Sequence, residues 1–192
     1  MSGKRLMAAA LAVALLQTGF LGWIIAGRAA VLRSGTEVLL KVEPVDPRDL
    51  LRGDYVRLSY EISRIPVSMI ENLPTQGSSG ARTLIVRLAE GGDGYWHPRT
   101  AWLDAAPAPA GPGEVDIAGQ MAEGRNLADP GASVSPRYGI ERYYVPEGEG
   151  LAIERDMRLR DFAVKVAVAR SGRAQIKALL DGDTTLFEEP LY

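Results

Sequence analysis

The chain has 192 residues, 46% of them hydrophobic, which suffices for one domain with a proper core and is too short for two comfortable ones. It contains no cysteine, which excludes disulfides, thiol catalysis and thiolate metal sites. Residues 1–33 carry four bases (Lys4, Arg5, Arg28, Arg33) and no acid, so residues 34–192 hold 18 bases against 24 acids, a net of −6 that argues against nucleic acid as a partner.

The first predicted element is Leu6–Gly27, an apolar run broken only by Gln17 and Thr18. At about 1.5 Å rise per residue it spans a hydrocarbon core of about 30 Å, so a transmembrane helix is the direct reading. Trp23 near its end suits a membrane–water interface. Two alternatives compete, a cleaved signal peptide and a buried helix of a soluble protein. The run exceeds the usual apolar region of a signal peptide, and Arg28 stands where a cleavage site wants a small residue. A buried soluble helix would need a core larger than this chain easily supplies. Lys4 and Arg5 on one flank balance Arg28 and Arg33 on the other, so charge does not orient the helix. A tiny tail ahead of an apolar anchor favours the tail inside and the domain outside.

Beyond the helix the periodicity is mostly two. Thr36–Val45 reads as a strand entering a Pro-rich loop. Val56, Leu58, Tyr60 and Ile62 alternate with Arg57, Ser59, Glu61 and Ser63, the pattern of a half-buried strand. Arg64–Leu73 reads as a helical turn or short connection, and Thr75–Gly80 as a loop. Thr83–Leu88 and Tyr95–Leu103, joined by a Gly/Asp turn, read as a hairpin. A Pro/Ala loop, Ala105–Gly113, leads to a short strand at Val115–Ala122. Tyr138–Val145 is predicted as a strand with aromatics on both parities, and Pro146–Met157 as a short helix. Phe162–Val168 and Ala174–Leu180 form a second hairpin, turning near Ser171-Gly172. These readings divide the chain into a tail (1–5), a transmembrane helix (6–27), a juxtamembrane linker (28–35) and a β domain (36–192). The fold class is mainly β, an antiparallel domain with one or two short helices, preceded by a single N-terminal transmembrane α-helix.

The densest segment is Pro44–Ile62, within which Gly53-Asp54-Tyr55-Val56-Arg57-Leu58-Ser59-Tyr60 fits the pattern G-D-Y-x-x-L-x-Y at every fixed position. The chain thus resembles the bacterial GDYXXLXY family, and the tyrosine-rich strand before Pro146-Glu147-Gly148 extends the likeness. The resemblance implies a membrane-anchored protein of the bacterial inner membrane with its domain in the periplasm. It also implies a multi-pass membrane protein as partner, beside the lipid bilayer that holds the helix. It carries over no catalytic residues.

Asp46, Asp49 and Asp54 would suit a hard cation, but Arg48 and Arg52 between them already supply counter-charges, so a capped, internally paired loop is favoured over a metal site. Gly53 would supply the turn into the strand. Tyr60 is expected in the core and Tyr55, of opposite parity, more exposed. Arg52, Gly53, Asp54, Tyr55, Leu58 and Tyr60 form the signature. Arg48, Asp49, Arg57, Arg137, Tyr138, Arg142, Tyr143 and Tyr144 form an aromatic-basic candidate contact surface, since Tyr and Arg are favoured interface anchors. His97, the single histidine, excludes a multi-histidine metal site and reads as a partly exposed structural residue. No cofactor is expected. A layout similar to that of membrane-anchored signal peptidases makes Ser34 a candidate nucleophile of an envelope hydrolase. The Ser-Met dipeptide and lysine-bearing segment of those enzymes are missing, so Ser34 reads as a linker residue. The favoured reading is a membrane-anchored binding or accessory subunit.

Overall fold

A long helix, α1 (Gly3–Ser34), leads into the domain. In this computed structural model the described residues are 3–43, 55–74, 82–122, 127 and 129–190. Residues 28–34, expected as part of a linker, are the last turns of α1. The physical reason is burial, because Ala29, Val31 and Leu32 pack into the domain against strands near its C-terminal end. Gly35 ends the helix, its N–H donating to the Val31 carbonyl at 2.9 Å. A Cβ there would lie 2.7 Å from that oxygen, so the sharp entry into the first strand demands glycine.

The strands follow as β1 (Thr36–Lys41), β2 (Tyr55–Arg57), β3 (Ile65–Pro66), β4 (Thr83–Glu90), β5 (Trp96–Leu103) and β6 (Glu114–Gln120). Then come β7 (Ser133–Val134), β8 (Arg142–Tyr144), the short helix α2 (Gly150–Asp156), β9 (Phe162–Val168), β10 (Ala174–Asp181) and β11 (Thr184–Glu188). Among the described residues they form a four-stranded sheet (β1-β9-β10-β11), a three-stranded sheet (β5-β4-β6) and two-stranded ladders β2-β8 and β3-β7. All these ladders are antiparallel.

Both predicted hairpins are present, β4–β5 and β9–β10. Their strength is alternation. Leu84, Val86 and Leu88 of β4 are all fully buried and meet the inward side chains of β6 and β9 in one continuous core. Helix α2 is shorter than the predicted Pro146–Met157 and buries Ile153. Strand β11 was not foreseen; four of its five residues are exposed, which blurs the two-residue alternation.

Two predicted strands keep only three regular residues each among the described residues. Among the described residues the signature segment is regular only over Tyr55–Arg57; Ser59 makes a single bridge to Glu43, and Glu61–Ser63 is a 3-10 turn. The burial alternation nonetheless holds, with Val56, Leu58, Tyr60 and Ile62 all inside. Tyr138–Val145 is regular only over Arg142–Tyr144. Gly139 takes φ +84°, and the Glu141 carboxylate accepts hydrogen bonds from the backbone N–H groups of Tyr138 and Gly139, which folds this stretch into a turn rather than a ladder.

Candidate functional site

The signature and the tyrosine-rich segment, about 80 residues apart, form one structural unit. Tyr55, Val56 and Arg57 lie opposite Tyr144, Tyr143 and Arg142, and the Leu58 N–H donates to the Glu141 carbonyl at 3.0 Å. Two reciprocal side-chain bonds complete the join. The Tyr60 hydroxyl donates to the Ile140 carbonyl at 2.7 Å, and the Tyr138 hydroxyl donates to the Ile62 carbonyl at 2.9 Å. Both rings are buried, at 2% and 6% exposure. Burial pushes both phenols well up from their ordinary value, with the Glu141 charge adding to the effect. Gly119 of β6 makes room for this latch, since a Cβ there would lie 2.8 Å from the Tyr138 ring.

The candidate contact residues therefore separate by depth. Tyr138 and Tyr143 are inside the domain; burial, then the charges of Glu189 and Glu188, push the Tyr143 phenol up to about 12. Tyr144 is 69% exposed and meets the half-buried Tyr55 edge to face, with ring centres 5.9 Å apart. The Arg142 guanidinium stacks over Tyr55 at 5.1 Å. Arg57 and Arg137 are exposed. Arg48, Asp49, Arg52, Gly53 and Asp54 lie outside the described residues, so the loop half of the signature has no place in this geometry.

Arg57, Arg137 and Arg142 share a groove of about 660 Å³ with Arg28 and Leu32 of α1. Reading the chain by local pattern assigned Arg28 only to the flank of the helix, and no spacing signalled that it joins the other three. A smaller cavity, about 120 Å³, borders His97. There the imidazole bridges two acids, Nδ1 2.6 Å from Glu61 Oε2 and Nε2 3.1 Å from Asp93 Oδ1. The Glu61 bond first, then Asp93, raises the histidine above its ordinary value, and the same contact lowers Asp93. Gly91 admits the ring, for a Cβ there would sit 2.7 Å from its Cδ2. His97 was expected to be structural, and nothing in the sequence signalled its partner Glu61, 36 residues away. Among the described residues no group of three or more His, Asp or Glu side chains is arranged to hold a metal ion.

Ser34 donates to the Ala30 carbonyl at 2.7 Å, a helical back-bond. Lys41 pairs with Asp161 at 3.0 Å and Lys177 with Glu37, so neither amine serves as its base.

An N-terminal helix long and apolar enough to cross a membrane, its apolar window wholly exposed, thus continues into a domain of antiparallel β-sheets. That defines the class as a helix-led β protein. The family profile described as GDYXXLXY protein matches residues 17–179, most of the chain, and the protein belongs to that family. The matched span takes in the second half of α1, the signature and the Tyr138–Tyr144 segment together. No curated protein and no solved structure matches the chain.

Proposed function

We propose that this protein is a single-pass, membrane-anchored accessory subunit whose domain lies on the extracytoplasmic side of the bacterial inner membrane and binds a multi-pass membrane protein. The observation that carries the reading is the packed junction between α1 and the domain. Ala29, Val31 and Leu32 are buried where α1 packs against β9 and β10, while the apolar surface upstream, including Trp23 and Ile25, is exposed. Apolar side chains exposed along a whole helix need lipid or another membrane helix around them. A helix fixed to its domain also holds that domain close to the bilayer, with one constant face presented to a membrane neighbour.

The surface best suited to that neighbour is the exposed edge of Tyr55, Arg142 and Tyr144. Aromatic and arginine side chains are the usual anchors of interfaces, and these three are already ordered against one another, which lowers the entropy lost on docking. Arg48 and Asp49, which lie outside the described residues, are proposed as part of the same docking surface.

The test is purification of the intact chain in mild detergent beside Tyr144→Ala/Arg142→Ala and Asp54→Ala variants. Co-purification of one multi-pass protein with the intact chain, and its loss from the double variant, is expected. An identical set of partners from all three chains would refute the docking surface. A reporter fused after Tyr192 that is active only in the cytoplasm would overturn the orientation. The hydrolase reading with Ser34 as nucleophile has no observation in its favour.

A further inference from the structure

The domain is acidic as a whole, yet its groove against α1 is basic. Arg28 comes from α1, Arg57 from β2, Arg142 from β8 and Arg137 from the segment before it, against two lining carboxylates, Glu141 and Glu189. Glu141 is committed, since its two oxygens accept the N–H groups of Tyr138 and Gly139. None of the four arginines forms an ion pair among the described residues. Arg57 and Arg142 moreover sit directly opposite each other in the β2–β8 ladder. Like charges in that register repel, an arrangement that an anion between them would turn favourable.

The position of the groove says where the anion comes from. Arg28 is the first charge after the apolar run of α1, and it lies about 7.5 Å of helix rise beyond Trp23. A bilayer that takes up Leu6–Gly27, with Trp23 near its surface, places Arg28 among the headgroups. Because α1 is packed against the domain, the other three arginines are kept in the same groove as Arg28. Leu32, Ile176 and Tyr144 supply apolar wall beside them.

We propose that this groove binds the phosphate of an anionic phospholipid headgroup, with the guanidinium groups of Arg28, Arg57 and Arg137 as its donors and Arg142 shared with the neighbouring docking edge. Guanidinium forks match phosphate oxygens in pairs, and a single bound headgroup relieves the repulsion between Arg57 and Arg142. The lipid then acts as a wedge that fixes the tilt of the domain over the membrane. The inference rests on α1 being a membrane anchor.

The experiment uses the full chain in mixed micelles of phosphatidylglycerol and phosphatidylcholine, with bound lipids counted by native mass spectrometry. The unaltered protein should retain one phosphatidylglycerol in preference to phosphatidylcholine. Arg57→Gln/Arg137→Gln should weaken that retention by about twenty-fivefold, about fivefold per arginine at a membrane surface. Gln175→Glu, which adds a carboxylate to the lining and removes no arginine, should weaken it too, whereas Arg99→Gln on β5 should not. Equal retention by the unaltered chain and both groove variants would overturn the proposal, as would displacement of the lipid by inorganic phosphate alone. Flotation with pure phosphatidylcholine vesicles separates the two ideas. A chain that floats but shows no lipid preference refutes the groove alone, and one that fails to float removes the anchor and the groove together.

Discussion

Removing the Tyr60 hydroxyl as Tyr60→Phe keeps the ring in the core and deletes one bond of the latch between the signature and the tyrosine-rich segment. A buried hydrogen bond of this kind contributes about 1 kcal/mol net, and a carbonyl left buried without its donor costs about 1–3 kcal/mol. The Ile140 carbonyl lies in a fully buried residue, so the upper half of that range applies, and about 2 kcal/mol of destabilisation is expected. Tyr138→Phe should cost a similar amount through the Ile62 carbonyl. Because both bonds join the same two segments, the double variant should depart from additivity by about 0.5–1 kcal/mol. Urea unfolding of the full chain in nanodiscs, followed by the fluorescence of Trp96 and Trp102, measures all three. Single variants within about 0.3 kcal/mol of the unaltered protein would mean that water replaces these hydroxyls without cost, and would refute the latch.

The same burial has a pH signature. The folded phenols of Tyr60, Tyr138 and Tyr143 are raised, so their contribution is complete below the ordinary value of 10.0 and is lost as pH rises beyond it towards the folded values. Tyrosinate absorbance of the folded protein should therefore show Tyr143 ionising near 12, and a Tyr143→Phe variant should lack that step. His97 is also raised, so its bridge to Glu61 and Asp93 stabilises fully below 6.5 and fades as pH climbs through the folded value. The thermal midpoint should fall above that pH in the unaltered chain and stay flatter in His97→Gln; parallel profiles would contradict it. Gly119→Ala should cost about 1–3 kcal/mol, because its Cβ would meet Pro136 at 2.6 Å as well as the Tyr138 ring. Gly172→Ala should cost as much, since φ is +80° and the added carbon would press on Ala118 at 2.7 Å, whereas Gly92→Ala, with open space around it, should change stability little.

Much of this fold was legible residue by residue. Alternation marked β4 and β9 because each buries a regular set of side chains, and the turn at Ser171-Gly172 was visible because only a few residue types accept its backbone. The apolar alternation of the signature marks buried positions even where regular strand geometry is absent. Val56, Leu58, Tyr60 and Ile62 all reach the core, although the last of them does so from a 3-10 turn. Apolar pattern reports burial; hydrogen-bond geometry depends also on the partner strand, and among the described residues β8 pairs with only three of this segment. At residues 28–34, expected as part of a linker, α1 continues for a related reason. Arg28 and Arg33 looked like a wet flank, while Ala29, Val31 and Leu32 between them were turned inward by a surface that local sequence does not display.

The amino-acid sequence by itself determined the apolar helix, the β class of the domain, its two hairpins and the family to which the chain belongs, since all of these rest on spacings of a few residues or on one octapeptide. Only the tertiary structure decided that Tyr60 and Tyr138 each secure the other's segment, that Tyr143 is buried while Tyr144 is exposed, and that four arginines from distant positions share one groove under the helix. Those facts depend on contacts between residues about 80 or more positions apart, and the free energy of such contacts leaves no periodic trace along the chain.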